Sequence, residues 1–154
     1  VYGRTQVHNL NGEVVKILAH FPTIASFPSL LRFGIPIFTQ QSVLCRTADL
    51  LQLNGFDTRY RLAADTDLWA RWVLSSRPIA HCQKVCSSYC FDGPRLSNND
   101  VLAAAEGLML NEAYSKSSFM FDIISLLAFR VYNTPLYLGR LWRALRSRSV
   151  GGAP

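Results

Sequence analysis

Apolar and polar positions alternate from the start of the chain. Residues 1–6 read as a strand, residues 9–12 as a turn and residues 13–18 as a returning strand. Asn-Gly between two apolar runs favours a hairpin, because both residues tolerate positive φ. Residues 21–31 contain Pro22 and Pro28, which predicts a loop and then a short helix. Residues 35–44 read as a loop running into a strand. Residues 47–53 predict a short helix with Thr47 as N-cap and Asp49 in its first turn, ended by Asn54-Gly55. The clearest helical period lies at 65–75, where Leu68, Trp69, Trp72 and Val73 share a face. Asp67 and Arg71 form an i,i+4 pair beside that face.

Residues 78–91 read as one or two strands, and Asp92-Gly93-Pro94 as a turn. Residues 97–100 offer several N-caps for a helix running close to Lys116. Its expected face is Leu102, Ala105, Met109 and Ala113, with Glu112 and Lys116 as a surface pair. The tail from 119 to 148 is apolar first and basic later, and 149–154 read as a flexible terminus. No internal repeat is present. The apolar run at 123–129 lies between Asp122 and Arg130 and falls short of the ~20 residues a membrane span needs.

Composition narrows the class. With 49% hydrophobic and 17% charged residues over 154 positions, the chain is not a disordered charged tail and has about the length of one ordinary domain. The net charge of +6 favours an anionic partner, whether phosphate ligand, nucleic acid or membrane face, without choosing among them. Four cysteines, Cys45, Cys82, Cys86 and Cys90, do not make a small cysteine-dense secreted scaffold. No signal peptide opens the chain, and a reducing, cytosolic setting is expected. Because the chain starts on Val1 inside an expected strand, it is read as a fragment.

Three motifs in order carry a resemblance. Gln41-Ser42 is followed by Arg46, then come Gly55-Phe56-Asp57, then Ala64-Asp65-Thr66-Asp67-Leu68-Trp69. Together they resemble the acceptor half of family-2, GT-A type glycosyltransferases, and the opening Val1-Tyr2-Gly3-Arg4 with its Asn-Gly turn is similar to the segment that follows that family's metal-binding strand. The resemblance covers roughly residues 1–100. It departs at Asn54, where relatives have the first Gly of Gly-Gly-Phe-Asp, and at Gln40, where many have His. The implied architecture is α/β: the C-terminal half of a GT-A nucleotide-diphospho-sugar transferase fold with a mixed sheet. On this reading 1–100 are the acceptor and base half, 101–148 a helical extension and 149–154 the terminus.

The resemblance also implies chemistry. Inverting transfer from a nucleotide-sugar donor to a carbohydrate or lipid-linked acceptor needs one general base, and the matching position is Asp65. A carboxylate at a helix N-terminus is favoured ionised by the helix dipole. Gln40, Gln41, Asp67 and Trp69 fall at positions for acceptor contact. Arg95 falls where relatives carry a mobile loop near the diphosphate. Asp67 also has the simpler task of pairing with Arg71, and Trp69 that of filling the core. The complete enzyme is expected to use Mg2+ or Mn2+, but the family's Asp-x-Asp metal motif is not in this chain. Asp65-Thr66-Asp67 opens a helix and continues Leu-Trp, so it matches the base motif instead. A separate donor-binding chain is the expected complement, and the fragment alone is expected to be inactive.

Other classes were weighed on residues alone. His81, Cys82, Cys86 and Cys90 have a spacing that structural zinc does not forbid. On a regular strand, however, residues four apart lie ~13 Å from each other, too far for one metal. Arg140, Arg143, Arg146 and Arg148 interleave with Leu138, Leu141, Trp142 and Leu145. Such a basic amphipathic helix reads as a peripheral anchor at the cytoplasmic face of an anionic membrane, as a protein-interaction surface, or equally as a helix whose apolar face docks on the chain's own core. No nucleic-acid reader motif is present, and nucleic acid is not expected as a partner.

Overall fold

A computed structural model describes residues 1–20, 23–90 and 99–150. They form a small mixed α/β fold, a three-stranded sheet packed against several helices. Strand β1 (Tyr2–His8) lies in the centre, antiparallel to β2 (Val14–Ile17) and parallel to β3 (His81–Cys90). Asn9 builds the hairpin, since its side-chain oxygen accepts from the amides of Asn11 and Glu13 at 3.1 and 2.9 Å. Gly12 supplies the positive φ of 79° that this turn requires.

Between β1 and β3 come α1 (Phe27–Leu31), α2 (Thr47–Gln52) and α3 (Ala64–Leu74); after β3 come α4 (Asp100–Tyr114), α5 (Phe119–Tyr132) and α6 (Thr134–Val150). The core is largely aromatic. Phe38 packs on Tyr2, Phe27 and Trp69 with ring centroids 5.0, 5.1 and 6.0 Å apart, separations that favour tilted and edge-to-face pairs. Leu30, Ile37, Leu68 and Phe129 complete it.

Four local expectations change. Residues 35–44 do not make a strand. Pro36 lacks an amide, and Ser42 turns back to donate from both its amide and its hydroxyl to the Thr39 carbonyl, each at 3.0 Å. This closes a 3-10 turn over Gln40–Ser42 and leaves a single bridge, Tyr2 to Val43. Arg46, not Thr47, is the N-cap of α2, and Asp49 is engaged by Arg46 and Arg77. In α4 the inward residues are Glu106 and Leu110, whereas Ala105, Met109 and Ala113 are exposed. The helix ends at Tyr114, so Lys116 is outside it and the i,i+4 spacing to Glu112 is not realised as an ion pair. Finally, α6 continues through Ser149 and Val150, while 151–154 lie outside the described residues, as does the expected turn at 92–94. The expected N-cap of α4 is met by Asn99, which accepts from the Leu102 amide at 3.0 Å. No helix among the described residues is long and apolar enough to cross a membrane.

Candidate functional site at the N-terminus of α3

Helix α3 begins without a side-chain cap of its own: Ala63 occupies the N-cap position. The missing acceptors come from α4. Glu106, 2% exposed, accepts from the amides of Arg61, Leu62 and Ala63 at 2.7, 2.9 and 2.8 Å. Burial pushes its pKa up, but the three amide bonds outweigh burial and hold the carboxyl below its usual value. The loop entering α3 is thereby fixed, and the side chains of its first turn are aimed by a residue more than 40 positions away in sequence.

Asp65 is half-buried on that first turn. Its Oδ1 accepts from the Thr66 amide at 2.7 Å and lies 3.3 Å from the Thr66 hydroxyl. Burial raises its pKa, and the Thr66 bonds pull it back only in part. The helix terminus alone favours the ionised form, but desolvation decides the direction here. Its donors are local, namely Thr66 and its own backbone amide. That separates it from Asp49, Glu106 and Asp122, each of which joins elements. Asp49 ties α2 to Arg77, Glu106 ties α4 to the 61–63 loop, and Asp122 ties α5 to Arg32.

Asp67 faces the other way. It is 1% exposed and both oxygens are engaged: Oδ2 by Arg71 at 2.6 Å and Oδ1 by the Tyr114 hydroxyl. Arg71 continues the network to the carbonyls of Leu53 and Gly55, where Asn54 and Gly55 turn the chain with φ of 61° and 62°. The i,i+4 pair foreseen from sequence is therefore a three-way joint among α2, α3 and α4. Asp57, in the loop before it, is held down to about 2 by hydrogen bonds from Arg59.

Next to Asp65 lies a cleft of about 190 Å³ between α1, the α3 entrance and α4, with Leu31, Pro36, Leu62, Thr66, Ala103 and Glu106 on its walls. Thr66 bonds Asp65 and forms part of this wall; Asp65 itself does not line the cleft. Trp69 is 7% exposed and packs between Phe38 and Trp72, with no partner for its Nε1 among the described residues. Gln40 and Gln41 sit exposed on the 3-10 turn and make no hydrogen bond to Asp65 or Asp67. The sequence-derived residues are thus not gathered into one constellation: Asp65 is half-buried beside a cleft-wall residue, Asp67 and Trp69 are interior, and the glutamines are on the surface. Arg95 lies outside the described residues.

Glu106 is the participant that the sequence reading missed. Its position shares a stripe with Leu110 and Tyr114, but an acid among apolar neighbours reads as solvated until its partners are known. Among the described residues no three His, Cys, Asp or Glu side chains converge as ligands for a metal, and the four cysteines form no disulfide. The chain matches no protein-family model, no curated protein and no solved structure.

Proposed function

We propose that this chain is the acceptor-side part of a nucleotide-sugar-dependent glycosyltransferase of the GT-A type, with Asp65 as general base. The observation that carries the reading is a half-buried carboxylate on the first turn of α3 that spends no bond on holding elements together, bonded to Thr66 of a cleft wall, with a pKa raised by burial. Asp65 takes the proton of an acceptor hydroxyl as that oxygen attacks the anomeric carbon of the donor sugar. The bond from that carbon to the nucleoside diphosphate breaks, and the diphosphate leaves. Thr66 orients the carboxylate, and Glu106 fixes the loop behind it. The resemblance places the donor nucleotide and its divalent cation on residues of a donor-binding half; no ligand set for that cation is found among the described residues. β2 and β3 are the outer strands among the described residues, and strands of such a half would add there.

The test is transfer itself. The chain, together with its donor-binding complement, is incubated with a panel of nucleoside-diphosphate sugars, Mg2+ or Mn2+, and carbohydrate or lipid-linked acceptors, and released diphosphate is measured. Asp65→Asn is expected to lower turnover by about 10²–10⁴, with nucleotide binding and melting temperature nearly unchanged. Turnover retained by that variant removes Asp65 from the role.

A second reading is favoured by a different observation. On α5, Met120, Ile124, Leu127 and Val131 form one stripe, each more than half exposed, and Leu138, Leu141 and Trp142 continue the apolar surface on α6. With the net charge of +6, this surface suits the interface of an anionic membrane.

A further inference from the structure

The cysteines of β3 are not used by either reading, and the strand that carries them is irregular. Tyr2 pairs with His81 and Arg4 with Val85, so two residues of β1 are opposed by four of β3. A further residue is inserted between the Arg4–Val85 and Thr5–Ser87 pairs. The extra residues bulge at Cys82, Gln83 and Lys84, and the strand shortens there relative to a regular one. Beyond it the ladder runs one to one from Thr5–Ser87 to His8–Cys90.

The bulge cancels the ~13 Å separation that four residues of regular strand impose. Cys86 Sγ turns back and donates to the Lys84 carbonyl at 3.5 Å, which brings it beside Cys82. It occupies space over Gly3, where any Cβ would collide with it; a glycine is what lets the thiol sit there. Cys90 has no such route, because regular strand separates it from Cys86. Cys45 lies before α2, in a different segment.

We infer that Cys82 and Cys86 are a redox-active dithiol that closes to a disulfide by exchange with a small-molecule disulfide such as glutathione disulfide. The electrostatics agree. The Lys84 amide, the neighbouring Cys86 thiol and the Lys84 ammonium hold the pKa of Cys82 below the usual thiol value. Cys86, beside Cys82, is pushed up. Cys82 is therefore the attacking sulfur. Its thiolate, having released a proton, displaces one glutathione thiolate and leaves a mixed disulfide on Cys82. Cys86 then loses its proton, and its sulfur attacks the Cys82 sulfur and expels the second glutathione. The two protons end on the two glutathione thiols; the protein dithiol is oxidised by two electrons and the glutathione disulfide is reduced.

The experiment uses the full chain. It is equilibrated with graded ratios of glutathione disulfide to glutathione, quenched in acid, alkylated with N-ethylmaleimide, digested with trypsin without reduction and analysed by mass spectrometry. Lys84 lies between the two cysteines, so trypsin separates them and a bond from Cys82 appears as two joined peptides; Cys90 shares the second peptide with Cys86, so fragmentation between Ser87 and Tyr89 assigns the bond to Cys86. The expected result is loss of two of the four alkylatable thiols, recovery of that joined pair, and reversal on adding dithiothreitol. Cys86→Ser is expected to accumulate glutathione on Cys82, and Cys82→Ser to leave Cys86 free. Four free thiols at ratios that oxidise dithiothreitol itself would overturn the inference. So would glutathione spread evenly over Cys45, Cys82, Cys86 and Cys90.

Discussion

Single residues decide how the α3 entrance is held, and Glu106 decides most. One carboxylate satisfies three amides that no local side chain reaches. A glutamine there keeps one acceptor oxygen and turns an N–H2 toward N–H donors. Glu106→Gln is expected to cost about 2–3 kcal/mol in chemical denaturation, the scale of losing charge-assisted bonds and leaving a buried donor unmet. Since its folded pKa is depressed, the stabilisation is complete above the ordinary glutamate range and is lost as pH falls below it. The variant should therefore flatten the acid limb of stability. His20 acts in a different window. It is buried, stacked on His81 at 4.7 Å and set edge-on to Tyr132. Burial first, then the charge of Arg4, then His81, lower its pKa to about 4. Between about 6.5 and 4 the unfolded chain takes up a proton at this position that the folded one refuses, so stability falls as pH drops through that interval and levels off below it. His20→Gln should reduce the slope of melting temperature against pH between those limits; an unchanged slope would show that another group controls it. Neither residue stood out in sequence. Asp67 with Arg71 did, because four positions on one helix fix their distance, whereas partners 40 to 60 positions apart are set only by packing.

At the scale of elements, the legible ones were those with a strong local cause. The hairpin had its Asn-Gly turn, α3 its apolar period, and α4 its Asn99 cap. The unformed strand at 35–44 and the rotated face of α4 depended on the Thr39–Ser42 turn and on the Glu106 clamp, which apolar spacing does not encode. Helix α5 shows both cases. Its buried side, Asp122, Ser125 and Phe129, is polar at one end, where Asp122 meets Arg32 at 2.7 Å and accepts from Ser117. Met120, Ile124, Leu127 and Val131 face outward instead. Docking of α6 is also polar: Arg140 donates to the Ile17 carbonyl at 2.5 Å, so this basic side chain is spent on β2 and not left for a partner. On the membrane reading proposed above, the contact surface is accordingly centred on α5. Sedimentation with vesicles of phosphatidylcholine containing phosphatidylserine is expected to pull down the wild type and to lose Leu127→Glu, with added salt weakening binding only in part. Equal sedimentation of that variant would separate α5 from any membrane contact.

For the molecule as a whole, the sheet is the unfinished part. β1 is paired on both sides and buried, while β2 and β3 have no further strand beside them among the described residues. Unpaired strand edges pair with other chains unless something blocks them. On β3 the bulge at 82–84 twists the first half out of a pairing geometry, and Lys84 adds charge there. The regular half, from Ser87 to Cys90, carries no charged residue and keeps its register. Self-association is therefore expected at the exposed Ser88, in that half. By analytical ultracentrifugation the wild type is expected to sediment faster as concentration rises, and Ser88→Lys, a charge placed on an exposed position of the regular half, to remain monomeric. Association that survives Ser88→Lys and disappears with Leu127→Glu would move the contact to the α5 stripe. Monomers of both proteins at every concentration would mean that the β3 edge is protected as it stands. On the glycosyltransferase proposal the same edge is where strands of a donor-binding half would add, so Ser88→Lys is expected to lower transfer as well while leaving the entrance of α3 intact.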